Sequence, residues 1–293
     1  MIPVEIYETH KIVEIPSSWD ELSLVQIQRI FRINDIAIRR GWSEGEARLR
    51  ILMDILGLKL KPSLVYRISQ GGAHKELENL WMLSEMCLSF LFQDGKIRYD
   101  SVRNPMPEVR GGLFGTSLTG PADLLSDLSF GEFRHAARAL KSFFEHHDLA
   151  DLDECIAHLY RRKARKANKA GRKVTPFAGE SDIKRAARME PWKKNLIMVW
   201  FASCLEYIQT GKIELDGETL DMQLLFSPDD GGNAASGITG FTWNDLLLQI
   251  AKDHIIGTIE DVDGSSLMSI LQIMWSNYKE QKRNEKIFKT HKA

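Results

Sequence analysis

The chain has 293 residues, 39 basic and 40 acidic side chains for a net charge of −1, and 43% hydrophobic residues. That balance excludes wholesale disorder and a general polyanion binder, and a chain of this length can bury roughly 75% of its unfolded surface without metal or disulfide staples. Cys87, Cys155 and Cys204 stand far apart with no CxxC pair, which reads as buried thiols in a reducing compartment.

In chain order, the first elements are two short strands, Val4–Tyr7 and Lys11–Ile15, joined by a polar turn. Ser23-Leu-Val-Gln26 is a capping box that opens a helix to about Arg40, with Ile27, Ile30, Phe31, Ala37 and Ile38 as its apolar stripe. A second box, Ser43 to Glu46, opens a helix that stops near Gly57. Pro62 starts a short helix that stops at Gly71-Gly72, and Glu76 to Phe92 is a longer one.

Residues 95–120, with two prolines and five glycines, read as a long surface loop and the first place to expect conformational change. A third capping box, Ser129 to Glu132, starts a helix bearing Phe130, Phe133, Ala137, Leu140 and Phe144. The next helix, Leu152 to Ala164, runs into a basic stretch, and another covers Ser181 to Met189. Trp192 to Ile208 is apolar nearly all round, which predicts a helix buried in the core. Its longest apolar run, Leu196 to Leu205, falls short of the ~20 residues that span a bilayer.

Asp216-Gly217 suits a type I′ turn between strands Lys212–Leu215 and Glu218–Leu224. The stretch from Ser227 to Gly240 reads as a flexible loop, Trp243 to Ile255 as a helix, and Ser265 or Ser266 as the cap of the last helix. The whole predicts a mainly α, multi-helix globular protein with small β-hairpins near the N-terminus and around 212–224. The expected segments are 1–94, the loop 95–120, a helical segment 121–164, a basic linker 165–180 and a helical region 181–293.

Chemistry-bearing patterns are weak. His146, His147, Asp148, Asp151, Asp153, Glu154 and His158 crowd together, and Glu154 and His158 share a helix face, yet no HExxH or second ligand pair is present. "EDVDGSS" resembles a calcium loop, but the register puts Ile259 and Ile270 where oxygen donors belong. The glycines of "GGNAASGITG" match neither a phosphate loop nor a dinucleotide loop, and no GxSxG occurs. No catalytic, cofactor or metal residue is therefore expected.

What stands out is "RRKARKANKAGRK", residues 161–173, which holds Arg161, Arg162, Lys163, Arg165, Lys166, Lys169, Arg172 and Lys173 and no acid. It reads either as a solvated linker that touches an acidic partner or as a polyanion contact whose affinity falls with salt. Tyr160 and Phe177 are the only aromatics at its edges.

Four short motifs, "IPSSWDELS" (Ile15 to Ser23), "FGEF" (Phe130 to Phe133), "LYRR" (Leu159 to Arg162) and "WF" (Trp200-Phe201), resemble a group of tail-assembly proteins of tailed phages and prophages. The likeness extends to about Thr210, and the part from Asp216 onward has no counterpart in it. The resemblance implies a non-enzymatic, chaperone-like or accessory protein that binds a tail or virion protein, such as the tape-measure or tube protein. It would act in the host cytoplasm or within the virion, and no site residue carries over. The alternative is a nucleic-acid-binding module built on residues 161–173.

Overall fold

A computed structural model describes residues 1–6, 10–58, 74–110, 116–175, 179–226, 243–252 and 256–292. The expected helix from Pro62 and the glycine-rich stretch 227–240 lie outside these residues. Among the described residues there are eleven α-helices and only two- and three-stranded antiparallel sheets, so the chain is mainly α. It forms two compact units, Met1–Ser101 with Glu190–Trp200, and Val102–Met189 with Phe201–Ala293.

In the first unit, β1 (Ile2–Ile6) pairs with β2 (Lys11–Ile15), and α1 (Leu24–Arg40) and α2 (Glu44–Ile55) follow. Both predicted capping boxes form: Ser23 and Ser43 each accept from the third helical amide, while Gln26 and Glu46 reach back to the cap amide. Gly41, at φ 65°, closes α1 in the left-handed conformation that a Cβ disfavours. Helix α3 (His74–Leu88) packs on α2 and ends earlier than the spacing predicts, because Ser89–Leu91 tightens into a 3-10 turn. A tight hairpin, β3 (Phe92–Gln93) and β4 (Lys96–Ile97), comes next. Trp19 is the hub of this core, with ring centroids 6.0, 5.7 and 4.9 Å from Phe31, Phe90 and Tyr99.

The second unit opens with the segment expected to be a surface loop. Over its described part it is pinned rather than loose. β5 (Glu108–Arg110) pairs with β6 (Ser117–Thr119), and Met106 and Val109 are buried. Asn104 is buried too, donating from Nδ2 to the Pro121 carbonyl at 2.6 Å. Its Oδ1 accepts from the Met106 amide at 2.8 Å and from the buried Tyr160 hydroxyl at 3.2 Å. Glycine and proline content pointed to an exposed loop, whereas Asn104, Pro105, Met106 and Val109 face inward.

The third capping box, Ser129 with Glu132, starts α4 (Phe130–His146), which packs along α5 (Leu149–Leu159). Helix α5 stops at Leu159, short of the predicted Ala164, because Tyr160 turns extended and Arg161–Arg162 become β7, which pairs with β6. Helix α6 (Glu180–Ala187) packs on α5, and the C-terminal half of α7 (Pro191–Thr210) buries Phe201, Cys204 and Ile208. Strands β8 (Lys212–Leu215) and β9 (Glu218–Asp221) flank the predicted turn, with Asp216 and Gly217 both at positive φ. The second strand ends early, since Met222–Phe226 coil into α8.

Helix α9 (Trp243–Lys252) drives Trp243 into Phe133 at 4.8 Å between centroids, with Phe130 and Phe226 beside it. The "EDVDGSS" stretch forms α10 (Ile259–Gly264), a short helix opened by a Thr258–Asp261 capping box. Helix α11 (Leu267–Lys292) starts where the Leu267 amide bonds the Leu128 carbonyl at 2.9 Å.

Gly120 lies where a side chain has no room: an added Cβ would sit 2.6 Å from the Tyr160 ring and 2.9 Å from Asn104 Nδ2. Gly120→Ala is expected to destabilise the protein by about 1–3 kcal/mol through overpacking of this polar knot. Urea denaturation, with the slope unchanged and the midpoint lowered, checks it.

Candidate functional site

The basic run does not link two packed halves; it folds back on itself. The Thr175 amide bonds the Arg162 carbonyl at 2.8 Å, the Ala164 amide the Lys173 carbonyl at 2.9 Å, and the Asn168 amide the Arg172 carbonyl at 2.9 Å. Lys163 and Val174 form an antiparallel bridge, and Gly171 takes φ 87° at the turn. Residues 161–175 are thus a β-hairpin continuing from β7. Phe177 lies outside the described residues.

Its eight cations divide sharply. Arg161 and Arg172 are buried, with side chains 4% and 2% exposed. Glu132, itself buried, sets one carboxylate oxygen 2.5 Å from Arg161 Nη2 and the other 3.9 Å from Arg172 Nη1. Arg161 also donates to the carbonyls of Thr175 (3.2 Å) and His158 (3.4 Å), and Arg172 to those of Thr119 (2.8 Å) and Leu159. Asp127 lies 3.8 Å from Arg172 Nε. Burial lowers the pKa of both guanidinium groups, and Glu132 opposes that fall. Lys169 pairs with Asp261 at 2.7 Å, and this contact and the Thr258 cap hold Asp261 down at about 2.

Lys163, Arg165, Lys166 and Lys173 are exposed, and among the described residues they have no ion-pair partner. Arg162 is half-buried.

The hairpin walls a cavity of about 510 Å³ closed by α4, α5 and α10. His135 and His158 stack at its side, centroids 5.0 Å apart and 13° from parallel. Arg134 Nη2 lies 3.2 Å from His135 Nε2, and since a guanidinium only donates, that nitrogen accepts and the proton sits on Nδ1. Arg134 is fixed by a bidentate pair with Asp263, at 3.2 and 2.8 Å. Burial depresses the His158 pKa to about 3, helped by His135 and by Arg161, Arg138 and Arg134; burial first and Arg134 and Arg138 next lower that of His135. The cavity therefore presents two neutral imidazoles under Arg138 and Lys169, with the Thr175 hydroxyl lacking a hydrogen-bond partner among the described residues.

The acidic and histidine-rich stretch forms the α4–α5 corner. His147 closes α4 at φ 58°, and Asp148 caps α5 through the Ala150 amide. Ser142, His146 and Asp151 have the residue types of a hydrolytic triad but not its bonding order. The serine hydroxyl is 2.7 Å from Asp151 Oδ2, where it donates its proton, and His146 Nδ1 sits 3.0 Å from the Ser142 carbonyl. Among the described residues no group of three or more His, Cys, Asp or Glu is placed to hold a metal ion. Cys155 and Cys204 are buried thiols whose pKa burial raises.

Comparisons with protein-family models, curated proteins and solved structures give no match. Among the described residues no helix is long and apolar enough to cross a membrane.

A second surface lies on α11. Its first turns bury Leu267, Ile270, Leu271 and Trp275, but Lys279 to Phe288 are exposed except for half-buried Lys282. Ile287 and Phe288 are 46% and 70% exposed. Asn277, Gln281, Asn284 and Phe288 follow a four-three-four spacing, and these four share one helix face lining a shallow groove. Sequence reading missed this surface because a charged helix end resembles an ordinary solvated one.

Glu132→Gln keeps a side chain suited to the capping box but removes the counter-charge of two buried guanidiniums. The expected loss is about 3–5 kcal/mol in chemical denaturation at neutral pH. Acid stability carries a second signature. The unfolded chain binds a proton at His158 near 6.5 and the folded chain only near 3, so between these values unfolding takes up a proton. Stability from this group is complete above 6.5 and falls as pH drops toward 3, with a limiting slope of roughly 1 kcal/mol per pH unit. His158→Gln should flatten that slope in a pH series of melts.

Proposed function

We propose that this chain is a non-enzymatic protein of a tailed phage or prophage that acts in tail or virion assembly through protein–protein contacts. The observation that carries the reading is the far end of α11. This helix extends past its buried first turns and leaves Phe288 and Ile287 uncovered. A large aromatic held on a rigid helix is the kind of anchor that dominates protein interfaces. The resemblance of four short motifs to tail-assembly proteins suggests the partner class, a tail or virion protein such as the tape-measure or tube protein. Three of them fall on core aromatics, Trp19, Phe133 and Phe201, and the fourth on Tyr160, so they support a common scaffold rather than a common active site.

Affinity capture of the tagged protein from producing cells, after nuclease treatment and with mass spectrometry, tests the reading. Tail or virion proteins are expected in the wild-type capture. The double variant Ile287→Asp, Phe288→Asp should reduce their recovery at least tenfold, as loss of one anchor costs ~2 kcal/mol or more. Both positions are solvent-facing, so the melting temperature should stay unchanged. Capture of no virion protein, or undiminished capture by the variant, would overturn the reading.

A further inference from the structure

We infer that the exposed rim of the 161–175 hairpin binds the phosphate backbone of duplex nucleic acid, without reading its sequence. This surface is separate from the α11 face and does not rest on the assembly reading. The hairpin uses Arg161, Arg172 and Lys169 internally, and they fix where it stands. Lys163, Arg165, Lys166 and Lys173 are left outward and unpaired among the described residues. The carboxylates that border the hairpin are already committed: Glu132 to Arg161, Asp261 to Lys169, and Glu154 to Arg138 at 3.0 Å. In a chain of net charge −1, this concentration of free positive charge is local.

The chemistry of the hairpin selects among polyanions. Residues 161–175 contain no aromatic side chain, and the neighbouring Tyr160 is buried, so among the described residues of the hairpin none is placed to stack unpaired bases. The same absence leaves the hairpin without the aromatic residues in which protein-interface hot spots are enriched. Three of the four free cations are lysines, point charges that suit phosphate rather than the bidentate edge of a base. What remains is charge on a stiff two-stranded ribbon. Lys163 stands at the bridge to Val174, and Arg165 and Lys166 follow it at a bend. Such an array gains most from the ligand with the densest fixed charge, where each neutralised phosphate releases a counterion.

The test is fluorescence anisotropy of a labelled random-sequence DNA duplex titrated with the full chain across a salt series. The expected result is binding at low salt whose log affinity falls against log salt with a slope of about −3 to −4, from four contacts at ~0.9 each. The quadruple variant K163E/R165E/K166E/K173E should lose binding at least a hundredfold, and the neutral version with glutamine at the same positions should flatten the slope toward zero. Circular dichroism melts of both should match the parent, since none of the four side chains is buried. Three results would overturn the inference: no duplex binding at low salt, equal binding by either variant, or displacement of the duplex by polyglutamate at equal charge concentration. The last would assign the rim to an acidic polypeptide.

Discussion

The geometry of the second unit depends on one carboxylate. Glu132 occupies the third position of α4, where one oxygen accepts from the Ser129 amide at 2.9 Å and completes the helix cap, and it also faces two buried guanidinium groups. Burying charge is costly, and a buried ion pair is by itself weak support for stability. Its contribution here is positional. Through Arg172 the cluster binds the carbonyls of Thr119 and Leu159, and through Arg161 those of His158 and Thr175. Three chain segments, β6, the end of α5 and the close of the hairpin at Thr175, are thereby tied to the first turn of α4.

That arrangement explains which parts of the fold were legible. Capping boxes and the Asp216-Gly217 turn depend on residues within a few positions of each other and formed as read, whereas each apolar stripe was read one residue too far, with Ile38 69% and Phe144 51% exposed. The basic run was read either as a linker or as a polyanion contact, and its split character is set from afar: Arg161 is buried opposite Glu132, 29 residues earlier. Composition averages a buried arginine with an exposed lysine and returns a solvated segment. A local signal did exist, in Asn168 to Gly171 as a turn ahead of the apolar Val174. Helix α10 was missed for a different reason. Thr258 and Asp261 have capping-box spacing, but the aspartates drew attention to calcium chemistry, which the register already excluded.

The segment after residue 95 shows the same limit from the other side. Glycine and proline report backbone conformation. They say nothing of burial, which here follows from Asn104 satisfying two backbone groups while accepting the Tyr160 hydroxyl. A buried polar network of this kind holds one conformation because each lost bond leaves an unsatisfied group behind. The stacked histidines extend the logic to charge. Kept neutral by burial and by neighbouring arginines, they let Arg138 and Arg161 line one cavity, with Arg134 against His135, without adding to its positive field at neutral pH.

The two outward surfaces of this unit draw on different physics, and that difference bears on how they would work together. Contact through Phe288 and Ile287 gains from removing apolar area from water and is little affected by salt. Contact through the hairpin rim gains from counterion release and weakens steeply as ionic strength rises. An apolar anchor sets which partner is held, because shape must match; a row of point charges sets only where charge is dense. The rigid base under the hairpin matters for the second role. With Arg161 and Arg172 locked to Glu132, the backbone that carries the free cations is held in place, so the ordering cost of meeting a polyanion falls on the exposed side chains rather than on the chain. The buried half of the basic run thus serves the exposed half: two arginines withdrawn from solvent determine where four other cations stand.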